Sequence, residues 1–156
     1  MRVHAGPSGE FGNGDPLPAR YAACVEELLS RVQRGCAVAV TGEEKIPLGV
    51  AALLESLSSQ PRLATTVLID APSVDEVASA RADAHRRFAE LVIGLSDGPS
   101  APRGTVEAGI RTIENVLAAN LIGGGPSCLP GLAPVVGRVV LSLLAGGTPR
   151  RRPGLA

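Results

Sequence analysis

Glu43, Glu44 and Asp97 are the residues best suited to do chemistry, because carboxylate oxygens of this kind hold Mg²⁺ together with substrate phosphates. The first two stand in the run Thr41, Gly42, Glu43, Glu44, Lys45, and the third in the loop from Ser96 to Thr105. That loop also carries Gly98 and Ser100, and it ends on Arg103, whose planar guanidinium can pair with a phosphate through two parallel hydrogen bonds. A helix opening near Thr105 would turn its unpaired amides toward the same anion. Metal chemistry of the zinc type is not expected: His4 and His85 are far apart, and Cys24, Cys36 and Cys128 show no C-x-x-C spacing. The three thiols read as reduced, with Cys24 and Cys36 in the core and Cys128 accessible.

Two nucleotide and hydrolase motifs fail on inspection. A phosphate-cradling loop counted from Gly42 would need glycine and lysine where Pro47 and Leu48 stand. Gly94-Leu95-Ser96-Asp97-Gly98 has the G-x-S-x-G spacing of a nucleophile elbow, but no histidine follows Ser96. Ser96 is read as a turn residue.

The elements that must position these residues are short. The 156 residues suit one core, 45% are hydrophobic and 19% charged, and Phe11, Tyr21 and Phe88 are the only aromatics. Ala, Val, Leu and Ile must therefore fill the interior. Fifteen basic side chains balance fifteen acidic ones, so there is no positive field of the kind nucleic-acid binders use, and nucleic acid is not an expected partner. No apolar stretch is expected to span a bilayer and no signal-peptide centre is evident, which points to the cytoplasm.

Residues 1–14, rich in glycine and proline, read as a flexible arm, 15–146 as a single α/β domain and 147–156 as a disordered basic tail. Asp15 and Pro16 predict a helix start ahead of Leu17, Tyr21, Cys24, Val25, Leu28, Leu29 and Val32, with Gly35 as its stop. Three apolar runs, Cys36–Thr41, Thr65–Asp70 and Glu90–Leu95, predict buried parallel strands with the first in the middle. Helices are expected at Gly49–Ser59, after a Ser73–Glu76 capping box, and from a Thr105 cap. Val135 to Leu144 repeats at helical spacing, although its valines leave a strand open. The fold class predicted is α/β, a short parallel sheet with helices on both faces. In such a sheet a ligand binds beyond the strands' carboxyl ends, here between Thr41–Glu44 and Ser96–Arg103.

The same segments carry a resemblance. Residues 91–104, L-V-I-G-L-S-D-G-P-S-A-P-R-G, resemble the L-V-L-T-T-G-G-T-G-P-A-P-R-D of the molybdopterin-binding, molybdopterin adenylyltransferase-like family. Glu107, Ala108 and Arg111 resemble its E-A-x-R, and Leu129-Pro130-Gly131 with Pro134 and Val135 resembles its L-P-G-S-P-x-A-V. T-G-E-E-K-I-P-L-G at 41–49 is similar to a segment of the related domain in molybdenum-insertion proteins. The resemblance implies a three-layer sandwich that binds molybdopterin through its phosphate and, in active members, adenylylates it with Mg²⁺ and ATP. Residue chemistry, the crevice and the resemblance together make Thr41, Gly42, Ser96, Gly98, Ser100, Arg103, Thr105, Pro130 and Gly131 the candidate ligand contacts, and Glu43, Glu44 and Asp97 the candidate metal contacts. Gly104 stands where the family has an aspartate, and Ser96 and Asp97 replace its paired glycines. These departures favour binding of a phosphate-bearing small molecule over adenylyl transfer. The alternative is a non-catalytic scaffold or oligomerisation domain that keeps the fold and offers the Val135–Leu144 helix to a partner, with a homo-oligomer possible.

Overall fold

A computed structural model describes residues 14–96 and 101–146. The expected arm up to residue 13, the basic tail, and Asp97, Gly98 and Ser100 lie outside the described residues. Six α-helices lie among the described residues: α1 Leu17–Cys36, α2 Gly42–Ser59, α3 Pro61–Thr65, α4 Ala78–Leu95, α5 Arg103–Gly124 and α6 Ala133–Ala145. A π-helical turn, Thr66–Asp70, continues α3; 3₁₀ turns follow at Ala71–Ser73 and Asp75–Val77, and another, Pro126–Leu132, joins α5 to α6. Among the described residues there is no strand.

The parallel sheet and the α/β class are therefore corrected to an all-helical architecture, and each supposed strand has its own physical reason. Cys36 ends α1, and the valines after it lie in a link to α2 where Val38 is 79% and Val40 88% exposed. An apolar run of this length has no fixed periodicity, and a strand needs a neighbour to pair with. Thr65–Asp70 is rich in β-branched residues, yet Ala64, Leu68 and Ala71 recur at four and three residues and are all buried on one helical face. Burial of that face overrides a weak local preference. Glu90–Leu95 is the last part of α4, where Phe88, Leu91, Val92 and Leu95 follow the same spacing.

Several helix ends also differ from expectation. Pro16, with no side-chain cap, precedes α1. Ser73 does not cap α4; its hydroxyl donates instead to the carbonyls of Ile69 and Asp70 at 3.1 and 2.8 Å. Thr105 lies inside the first turn of α5, two residues after its start. Thr41 caps α2, accepting from the Glu44 amide at 3.4 Å. The segment from Val135 to Leu144 is helical.

The middle helix of the packing is α2, which lies against α1, α6 and the Pro126–Leu132 turn. Its Ile46, Val50, Leu54 and Leu57 join Leu28 of α1, Leu117 of α5, and Val136 and Val140 of α6 in the main core. A second cluster seats Tyr21, Val25 and Leu29 of α1 on Ala71, Val77 and Ala84. Gly35, expected to stop α1, does more than that. A Cβ there would lie 2.7 Å from Cβ of Ala52 and 3.2 Å from the Leu48 carbonyl, so its missing side chain lets α1 and α2 cross closely.

The segment Pro126–Ala145 corrects the expectation that nothing approaches membrane-spanning length. It is 20 residues long, and an 18-residue window within it has a mean hydropathy of 1.8, long and apolar enough to cross a bilayer by length and composition, with 28% of that window buried.

The thiols follow the sequence pattern: Cys24 and Cys36 are buried, Cys128 is partly exposed, and all three are free. Burial pushes the Cys24 thiol up to about 11 and also raises Cys36, so neither offers a thiolate near neutral pH. Native labelling with a thiol reagent is expected to modify Cys128 first and to reach Cys24 only on unfolding. Early modification of Cys24 would contradict this packing.

Candidate ligand cavity

The residues singled out in the sequence do not form one site. Thr41, Gly42, Glu43 and Glu44 open α2, whereas Arg103 and Thr105 open α5. Glu43 and Glu44 are exposed, and among the described residues no group of three His, Cys, Asp or Glu could hold a metal ion. Ser96 follows the end of α4, and Pro130 and Gly131 belong to the 3₁₀ turn before α6. Arg103 already faces two carboxylates, Glu90 at 3.4 Å and Glu107 at 3.5 Å. Its charge is thereby partly engaged.

The structure gathers a different set. Between α1, α2, α4, α5 and α6 lies a cavity of about 90 Å³ with apolar walls, including Val32, Val50, Leu53, Phe88, Ile113 and Val140. A second space of about 80 Å³ adjoins it and shares Leu53, Phe88, Ile110 and Ile113 as walls. Composition explains the gap: five helices meet where Phe88 is the only aromatic ring on the shared wall, and short aliphatic side chains do not reach across.

The second space differs from the first in having a polar end, where Tyr21, His85 and Glu114 enter its wall. Arg81 and His85 stand one turn apart on α4, and both reach Glu114 of α5. Arg81 Nη2 donates to one carboxylate oxygen at 2.6 Å, and His85 Nε2 donates to the other at 2.5 Å. Burial works to raise the Glu114 carboxyl, but hydrogen bonds from His85 and Arg81 together prevail and hold it below the usual carboxylate range. Burial first, and Glu114 second, push the Tyr21 phenol up to about 12.

Sequence reasoning missed this cluster, although a signal was there. Glu114 interrupts the apolar stripe Ile110, Ile113, Leu117 of α5, and a carboxylate on a buried stripe must find a partner. The fold and the site together define an all-helical domain with an apolar pocket between its helices. Comparison with family models, curated proteins and solved structures returned no match to the chain.

Proposed function

We propose that this chain is a helical binding domain that holds a small, predominantly apolar molecule between its helices. The observation that supports this reading is the pair of adjoining cavities, whose walls come from α1, α2, α4, α5 and α6. A ligand that fills such a space recovers contacts the protein lacks and stabilises the folded state. The pterin-phosphate reading drew on a strand end for its geometry, and an Arg103 already paired with Glu90 and Glu107 gives it less support.

The test is saturable binding of an environment-sensitive apolar dye such as N-phenyl-1-naphthylamine, displaced by small aromatic compounds. Leu53→Trp, placed in the wall common to both spaces, is expected to abolish binding while the protein stays folded by circular dichroism. Dye binding that survives this substitution, or no saturable binding at all, overturns the reading.

The scaffold reading is favoured by a separate observation. Val135 of α6 is 51% exposed, Val139 39% and Val116 of α5 45%, and Arg138 is the only charged residue of α6. Gly109, near the start of α5, lies against Leu143, near the end of α6, so the two helices form an antiparallel hairpin. Two such hairpins of roughly 20–30 Å length would bury about 1,000 Å² in all, the lower bound for a specific interface. The occupant we assign to this face is a second copy of the chain. Light scattering after size exclusion is expected to give a dimer, and the double substitution Val135→Asp with Val139→Asp a monomer. A monomeric parent protein that floats with lipid vesicles would replace the second copy with a membrane.

A further inference from the structure

A cleft of about 260 Å³ lies where the start of α1 meets α3 and the π-helical turn that continues it, with Arg20, Cys24, Arg62, Thr65, Thr66 and Asp70 in its walls. We propose that this cleft binds a small molecule through an oxyanion, a carboxylate or a phosphate, held by Arg20 and Arg62. It shares no wall residue with either apolar space, so the proposal stands or falls apart from the cavity reading.

Charge sets the sign of the ligand. Arg31, Arg81, Arg86, Arg87 and Arg103 each face a glutamate or an aspartate. Arg20 and Arg62 line one cleft, and among the described residues neither has a carboxylate within ion-pairing distance. Asp70 lines the same cleft and pairs with neither, which leaves two positive charges against one negative. A cation excess in a concave surface draws anions to it.

Hydrogen bonding sets the group. The Nε atom of Arg20 is buried and has no hydrogen-bond partner in the protein. A donor in that position has lost water without gaining an acceptor, a state that folded proteins rarely leave uncompensated. The guanidinium presents its donors in a fixed planar fork, which matches two oxygens of one carboxylate or phosphate. Arg20 is a wall of the cleft, so an oxyanion bound there is the partner this donor lacks, and the exposed Arg62 adds the second charge. Thr65 contributes no donor, because its hydroxyl already donates to the Pro61 carbonyl at 2.9 Å. The backbone beside the arginines is itself unusual: the Thr66 carbonyl accepts from the Ala71 amide, five residues on. Such π turns are rare and recur at functional sites.

NMR titration of the full chain, at neutral pH and fixed ionic strength, tests the proposal with inorganic phosphate, acetate and chloride. The Arg20 Nε–H resonance is expected to shift saturably with phosphate or acetate but not with chloride, and the tighter of the two oxyanions tells a phosphate-bearing ligand from a carboxylate-bearing one. Read at the Thr66 amide, Arg20→Gln should weaken binding about tenfold or more, as loss of a charge-assisted hydrogen bond requires. Arg34→Gln, at the far end of α1, should leave it unchanged. Asp70→Asn removes the opposing charge and should tighten binding by about 2–5-fold, which keeps the test decisive if Arg20→Gln fails to fold by circular dichroism. Shifts no larger than those from chloride overturn the proposal. So do unchanged affinity in folded Arg20→Gln, equal weakening in Arg34→Gln, or binding that is not tightened in Asp70→Asn.

Discussion

Glu114→Ala is expected to lower the unfolding free energy by about 3 kcal/mol, the lower end of the range for removing one partner of a buried ion pair. The glutamate side chain is 12% exposed and joins two α4 residues to α5. Without it, His85 Nε2 and Arg81 Nη2 lose their acceptor in a site where water has little access. Urea unfolding followed by circular dichroism measures the loss, and a change below about 1 kcal/mol would show that the cluster contributes only as an exposed pair does. Replacing both partners, Arg81→Met with Glu114→Leu, should recover most of the deficit, because the cost comes from the orphaned charge rather than from the missing pair. The pH dependence follows from the direction of the shift. The folded carboxyl lies below its ordinary value of 4.5, so the folded state binds fewer protons there than the unfolded chain. Its contribution is fully present above about pH 4.5 and is lost as pH falls through the lower folded value. The parent protein should therefore lose stability on acidification through this window more steeply than Glu114→Leu. Parallel acid profiles for the two proteins would contradict the assignment.

Gly35→Val is expected to destabilise the fold by about 2–3 kcal/mol, at the upper end for overpacking a closely fitted contact. Glycine inside a helix is ordinarily a liability of up to ~1 kcal/mol against alanine, so a substitution here would stabilise α1 if only local preference counted. The crossing with α2 reverses that sign. A Cβ at Gly35 would meet the Ala52 Cβ at 2.7 Å and the Leu48 carbonyl oxygen at 3.2 Å, and a backbone oxygen cannot turn aside as a side-chain end can. Gly49, on the other side of the crossing, has the same role: a Cβ there would stand 2.7 Å from the Cys36 Sγ. The helices would have to separate. Thermal unfolding of Gly35→Val against Gly14→Val, where nothing lies within 4 Å, separates the crossing from the general effect of valine. Equal melting temperatures would sink the idea.

The helical stripe of α1 was legible in the sequence, since Tyr21, Cys24, Val25, Leu28, Leu29 and Val32 are spaced for one face and all are buried. So were the helices that carry Leu54 and Leu57, and Val106 and Leu117, because period alone distinguishes one side of a helix, whereas the valines around Val136 and Val140 left a strand open until the structure showed a helix. The three short apolar runs were not legible. Six residues such as Cys36–Thr41 or Thr65–Asp70 satisfy a buried strand and a buried helix equally well, and only the presence or absence of a pairing neighbour decides between them. Here Val38 and Val40 meet solvent, and Ala64, Leu68 and Ala71 meet the rest of the bundle. The candidate site moved for the same reason. Chemistry-bearing residues in glycine-rich loops, from Thr41 to Glu44 and around Arg103, depended on a sheet edge to converge. What converged instead was Tyr21, Arg81, His85 and Glu114, which come from three helices far apart in the sequence. Residue types and spacing set which faces of those helices are apolar. Only the packing of one helix against another decides which polar side chains end on the same side of a cavity, because that depends on crossing angles and close approaches that no local pattern encodes.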